Sequence, residues 1–165
     1  MPKTVLVTDD DDNARDALCR LIERSGIDCV QAENGLEALN VLRTREVHVI
    51  IADHDMPGMD GVELLKLVST RYPQVTRILL TARHDAETAV RAINLSQAYR
   101  FLSKPCRSVD LLTTLYFALE RADAEIESRK LSAQLRLKTS IIEQLRRRYP
   151  GEVEALENQK PPATA

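Results

Sequence analysis

Five short runs of β-branched and aliphatic residues alternate with stretches of helical spacing along this 165-residue chain. The clearest runs lie at residues 4–7, 47–51 and 75–80, with weaker ones at 28–30 and 99–102. Nearly continuous apolar runs suit strands buried on both faces, as in a parallel sheet. Between them Ala14, Ala17, Leu18, Leu21 and Ile22 make one helix face over about 13–25. Leu36, Leu39 and Leu42 make a second over about 35–45. Val62, Leu65 and Val68 make a third, and Ala86, Ala89, Val90 and Ile93 a fourth. Gly26, Gly35 and Gly61 punctuate the boundaries. Strand and helix thus alternate five times by about residue 120, which predicts an open α/β sheet with right-handed crossovers. Five strands are too few for an eight-stranded barrel.

The fifth helix is expected to run on from Ser108 to Tyr149, because no Pro or Gly interrupts it before Pro150 and Gly151. That is roughly 40 residues, or about 60 Å. Beyond its first turns a stripe of Leu131, Leu135, Lys138, Ile142, Leu145 and Tyr149 recurs at alternating steps of four and three. This is heptad spacing with one polar interruption, at Lys138. It suits a self-associating coiled coil, a helix that docks on a partner, or a lever to an effector domain outside this chain. The expected organisation is a globular domain over 1–122, an extended helix or coiled-coil segment over 123–149 and a flexible tail over 150–165.

Composition limits the function classes. Lys plus Arg number 23 and Asp plus Glu 25, a net charge of −2, so no global basic field exists for nucleic acid. Residues 1–106 carry −3 and residues 107–165 carry +1, so charge names no partner. Aromatic residues make up 4% and Trp is absent, which disfavours a stacking surface for single strands. No helix-turn-helix fits after residue 122, so direct DNA recognition is not expected. Arg146, Arg147 and Arg148 read as cations near a helix C-terminus. No segment resembles a signal peptide or approaches the ~20 apolar residues of a membrane helix. Cys19, Cys29 and Cys106 are an odd number without C-x-x-C spacing, which points to free thiols in a reducing, cytoplasmic setting.

In an open parallel sheet, ligands bind beyond the carboxyl ends of the strands. After the first strand stand Asp9, Asp10, Asp11 and Asp12. After the third stands Asp53, after the fourth Thr81, and after the fifth Lys104. Carboxylates gathered at one rim repel, by roughly 4 kcal/mol for two charges about 4 Å apart at an effective dielectric of 20. A hard divalent cation relieves this, and oxygen donors with room for water favour Mg²⁺ or Mn²⁺ over zinc. A carboxylate beside such a cation can attack a phosphoryl group, and a Lys and a hydroxyl can stabilise the transferred charge. His48, His54 and His84 are scattered and read as surface or loop residues. Asp12 is expected to cap the helix that follows it.

Five segments, Val7-Thr8-Asp9-Asp10-Asp11, residues 32–39, Asp53 through Gly61, Thr81-Ala82 and Lys104-Pro105, come in this order at strand ends. Over about residues 3–122 the chain resembles the receiver domains of bacterial two-component response regulators. The resemblance implies a flavodoxin-like sheet of order 2-1-3-4-5 with helices on both faces. It implies Asp53 as phosphoacceptor, Asp10 as a direct Mg²⁺ ligand, Asp9 as a ligand through water and the Asp55 backbone carbonyl as a further ligand. It implies Thr81 and Phe101 as switch residues and Lys104 as the partner of a phosphoryl oxygen, followed by a proline that is often cis. A Phe on a strand also suits plain core packing. Asp55 and Arg83 stand at positions that tune access of water to the phosphoryl group in this family, and Thr8 replaces a more usual apolar residue. The implied partners are a sensor histidine kinase or phosphotransfer protein, with output through homodimerisation by the long helix or through a separate effector protein. Two alternatives stand beside this. Residues 50–55 are also similar to the strand and D-x-D of haloacid dehalogenase-type phosphatases, which would use Asp53 and Asp55. The long helix could equally be a constitutive dimerisation scaffold.

Overall fold

The computed structural model describes residues 3–82, 90, 94 and 98–151. Its elements are β1 (Thr4–Thr8), α1 (Asp12–Glu23), β2 (Asp28–Ala32), α2 (Gly35–Thr44), β3 (Val49–Asp53), α3 (Gly61–Arg71), β4 (Thr76–Ala82), β5 (Arg100–Lys104) and α4 (Ser108–Arg148). The strands form one sheet in the order β2-β1-β3-β4-β5, and every pairing is parallel. The expected sheet order is therefore the observed one. Val90 and Asn94 are helical, whereas Ala86, Ala89 and Ile93 of the expected fourth helix lie outside the described residues, as do Arg83, His84 and the tail beyond Gly151.

Strand alternation divides the core into two layers. Leu6, Ile50, Ala52 and Leu79 face α2 and α3, where they meet Ala38, Leu42, Leu64, Leu65 and Val68. Val5, Val7, Val49, Ile51, Ile78 and Leu80 face the other way, onto Cys19 and Ile22 of α1 and Leu111, Leu115, Ala118 and Leu119 of α4. All five residues of β3 are buried, which fits the central position of a strand covered on both sides. Each buried Val, Leu or Ile side chain contributes about 1.5–3 kcal/mol on leaving water.

Helix starts are set by capping side chains. Asn34 Oδ1 accepts from the Glu37 amide while Glu37 reaches back to the Glu33 amide. Asp60 Oδ1 accepts from the Glu63 amide. At α1 the cap is Asp11, not the expected Asp12. Asp11 Oδ1 accepts from the amides of Asn13 and Ala14, whereas Asp12 lies in the first turn and pairs with Arg15. The Asp11 amide donates to Asp9 Oδ1, which turns the loop one residue earlier than the Asp run alone suggests.

Two readings of single residue types are corrected. Cys19 on α1 and Cys29 on β2 are bonded to each other, with Cα atoms 5.5 Å apart, so they are not free thiols. Among the described residues Cys106 is the free cysteine. The pairing arises because α1 crosses back over β2, a tertiary relationship that no local spacing announces. His48 is buried rather than superficial, and its Nδ1 accepts from the Thr4 amide at 3.3 Å. Burial pushes its pKa down, with Lys3 adding to the effect.

The chain divides into two compact units, Met1–Glu125 and Ile126–Ala165. In the first, α4 buries Leu111, Thr114, Leu115, Ala118, Leu119 and Ala122. In the second, every described residue from 127 to 151 is exposed, including Leu131, Leu135, Ile142, Leu145 and Tyr149. No helix among the described residues is long and apolar enough to cross a membrane.

Candidate functional site

The carboxyl ends of β1, β3, β4 and β5 bring the charged residues together. Asp9 directly follows β1, Asp53 ends β3 and Lys104 ends β5. Asp9 and Asp53 are both buried. Lys104 Nζ donates to Asp9 Oδ2 at 2.8 Å and lies 2.8 Å from Asp53 Oδ1. The ammonium thus neutralises two carboxylates that burial would otherwise make costly. The Lys104–Pro105 peptide is cis.

Protonation follows this geometry. Burial raises the Asp53 pKa, and the Lys104 hydrogen bond and charge offset only part of the rise, while Asp9 and Asp55 add to it. Burial also works against the charge on Lys104, but its hydrogen bonds to Asp53 and Asp9 outweigh that and hold its pKa above the ordinary value.

Asp9, Asp10 and Asp53 each offer a carboxylate oxygen within 4.8 Å of the others. Asp9 already uses both oxygens, one with Lys104 and one with the Asp11 amide, whereas Asp10 is exposed. An all-oxygen set with one solvent-facing member fits a hard, partly hydrated divalent cation. Asp55 is exposed and lies in the β3–α3 connection, which the bonds His54 N to Leu80 O (2.8 Å) and Gly61 N to His54 O (3.1 Å) hold against the sheet.

Thr81 is buried on β4, one residue beyond Leu80, the register partner of Asp53. Its hydroxyl donates to the Ala82 carbonyl at 3.5 Å. Phe101 on β5 is 37% exposed and pairs in register with Leu79, so it is not a wholly buried core residue. Thr8 is buried, and its hydroxyl has no hydrogen-bond partner among the described residues.

Arg15 is a part of the site that sequence reasoning missed. Its guanidinium donates to the Asp9 carbonyl at 2.6 Å and to Gln31 Oε1 at 3.2 Å, and it pairs with Asp12. It ties the acidic loop to α1 and β2. The one signal available was its spacing of three from Asp12.

Residues 5–116 match the family of response regulator receiver domains. The chain is 32% identical over 141 residues to the hydrogenase transcriptional regulatory protein HoxA of Cupriavidus necator, covering 86% of this chain and 29% of that protein. It is 40% identical over 101 residues to the DNA-binding transcriptional regulator NtrC of Escherichia coli K12, covering 61% of this chain and 21% of that protein. The chain therefore spans under a third of the length of these relatives. Among solved structures it resembles the signal receiver domain of an HD domain-containing protein from Pseudomonas fluorescens, at TM-score 0.72 and 34% identity over 75% of this chain and 99% of that one. It also resembles a CheY-like receiver domain protein from Methanospirillum hungatei, at TM-score 0.71 and 26% identity over 76% and 99% of the two chains. With residues 5–116 matched and the strand order shared, the chain belongs to the response regulator receiver family of two-component signalling.

Proposed function

We propose that Asp53 accepts a phosphoryl group from a sensor histidine kinase or phosphotransfer protein. The observation that carries this reading is the single ammonium of Lys104 held 2.8 Å from both Asp9 and Asp53 beside the Asp10 carboxylate. An Asp53 carboxylate oxygen attacks phosphorus as the bond to the donor nitrogen breaks, and the donor imidazole keeps the electron pair. Lys104 then moves its hydrogen bond from the carboxylate to a phosphoryl oxygen, and Thr81 supplies a hydroxyl to another. Asp10 directly, Asp9 through water, Asp53 and the Asp55 backbone carbonyl would hold Mg²⁺ or Mn²⁺. That cation supplies neutralisation of the phosphoryl oxygens. The domain promotes its own phosphorylation and dephosphorylation and is not a turnover enzyme on an outside metabolite.

The output side rests on 123–149 acting as an extended helix after a receiver domain over 1–122, with 150–165 as a tail. With Leu135, Ile142 and Tyr149 at heptad positions a and Leu131, Lys138 and Leu145 at d, the flanking g and e positions pair Glu127 with Ser132, Gln134 with Thr139 and Ile141 with Arg146. No flanking pair brings like charges together. The cations Arg129, Lys130, Arg136 and Arg147 fall at outer positions. Residues 126–151 carry seven basic residues and two acidic ones. The heptad stripe supports a parallel homodimer, which the net positive charge of the segment weakens, with Phe101 and Thr81 as the switch residues that bias it and a separate effector protein as the alternative receiver of the signal. A cytoplasmic location and no direct contact with nucleic acid or membrane complete the proposal.

Incubation with acetyl phosphate and Mg²⁺ tests the acceptor role, and p-nitrophenyl phosphate separates the rival. A receiver gains one phosphoryl and shows essentially no p-nitrophenyl phosphate turnover, whereas a haloacid dehalogenase-type phosphatase using Asp53 and Asp55 turns that substrate over. Light scattering with and without beryllofluoride tells a phosphorylation-biased dimer from a constitutive scaffold.

A further inference from the structure

We propose that Cys19 and Cys29 form a reversible thiol–disulfide modification site that a dithiol opens from the Cys29 side. The two residues are bonded, and their surroundings are unequal. Cys19 is 2% exposed and packs with Val5, Val7 and Ile22 in the core layer under α1. Cys29 is only partly buried and sits on β2, which lies at the edge of the sheet with no strand on its outer side among the described residues. It also lines a cavity of about 470 Å³ together with Glu23, Asp28, Arg45 and Glu46. Cys29 is thus the more accessible partner for an incoming thiolate, whereas Cys19 is shielded by apolar side chains.

The bond extends an existing clasp. One turn earlier on α1, Arg15 and Asp16 both bond to the Gln31 amide, two residues further along the same face of β2. Opening the disulfide therefore leaves the N-terminal turns of α1 tied and frees the later turns, the β2 start and the span between the cysteines, which are ten positions apart. The two reduced thiols are small and apolar enough to stay packed, so the sheet survives reduction.

In the forward step a dithiol thiolate attacks Cys29 Sγ. The Cys19–Cys29 bond breaks with its electron pair on Cys19 Sγ, which takes up a proton. The second thiolate of the reagent then attacks the mixed disulfide, Cys29 leaves as a thiol, and the dithiol ends as its own disulfide. Two electrons pass from the dithiol to the protein. The cavity lining holds three carboxylates against one guanidinium, so a cationic thiol should react faster than an anionic one. This inference does not depend on the role of Asp53.

The test equilibrates the full chain in graded mixtures of reduced and oxidised dithiothreitol and then alkylates it in denaturant. Intact mass should show one adduct, on Cys106, at the oxidising end and three at the reducing end, reached from both directions. Peptide mapping after brief native exposure to cysteamine should place the mixed disulfide on Cys29 about tenfold more often than on Cys19, with glutathione slower. Reduction should lower Tm by roughly 5–10 °C. A Cys19→Ser, Cys29→Ser double variant should show no response of Tm to dithiothreitol. Hydrogen exchange in the reduced form should rise across 19–30 while 12–16 stay protected. Three adducts under oxidising conditions, equal modification of the two cysteines, or loss of protection spread over the whole sheet would each overturn the proposal.

Discussion

Lys104 reaches Asp53 across an intervening strand. The two residues end β5 and β3, β4 lies between them, and yet Nζ and Oδ1 are 2.8 Å apart. The long stem of the lysine makes this possible, and the parallel register makes it repeatable, because Asp53 pairs with Leu80 and Lys104 with Ala82 on the same central neighbour. Lys104→Met should leave Asp9 and Asp53 as two buried carboxylates without their ammonium. The expected result is a loss of about 1–2 kcal/mol in metal-free buffer, partly restored by millimolar Mg²⁺, read from urea unfolding with and without the ion.

Gly61 sets how closely α3 can approach β3, the strand that ends in Asp53. A Cβ there would stand 2.1 Å from the Asp53 carbonyl oxygen and 2.9 Å from its carbon, both backbone atoms that cannot swing aside. Gly58 has open space around a Cβ but a φ of +83°. Gly61→Ala should therefore cost more than about 2 kcal/mol and reduce phosphoryl uptake, whereas Gly58→Ala should cost about 1 kcal/mol and leave uptake near normal. Chemical unfolding alongside acetyl phosphate labelling checks both halves.

His48 gives a pH dependence of defined sign. Its folded-state pKa lies below 6.5 because burial disfavours the imidazolium and Lys3 adds to that, with Glu46 and Asp123 opposing. The unfolded chain then binds the proton first as pH falls. Stability due to this group is whole above pH 6.5 and declines as pH drops below it toward the folded-state value, by at most about 1.4 kcal/mol per pH unit. His48→Gln should flatten the difference in unfolding free energy between pH 7.5 and pH 5.5.

Much of the fold was legible because its strands are buried on both sides. Runs such as residues 47–51 have no polar alternation to confuse with a surface strand, and β3 is indeed buried throughout. The acidic cluster was legible for a related reason: the residues that follow parallel strands collect at one rim, so Asp9, Asp53 and Lys104 could be placed together from their positions after each run. What stayed hidden depends on side-chain approach across elements. The Cys19–Cys29 bond needs the angle at which α1 lies over β2. The burial of His48 needs the β1 amide that its ring meets. Asp11 takes the cap from Asp12 because its own amide is already held by Asp9, a contact inside one turn that composition cannot rank.

The seam residue Lys138 offers a test of the helix. If residues 131–149 pair in parallel, Lys138→Leu removes two facing ammoniums and should tighten self-association about tenfold or more. Leu135→Asp together with Leu145→Asp should yield monomers while Tm of the receiver unit stays within a few degrees, since all these positions are exposed. Sedimentation equilibrium on the three proteins decides this.

The most direct test of the central claim is intact mass after acetyl phosphate and Mg²⁺, comparing the native chain with Asp53→Asn. The account predicts one phosphoryl group on the native chain, released by hydroxylamine as an acyl phosphate is, and none on the variant. A phosphoryl group on both proteins, or on neither, would contradict Asp53 as the acceptor.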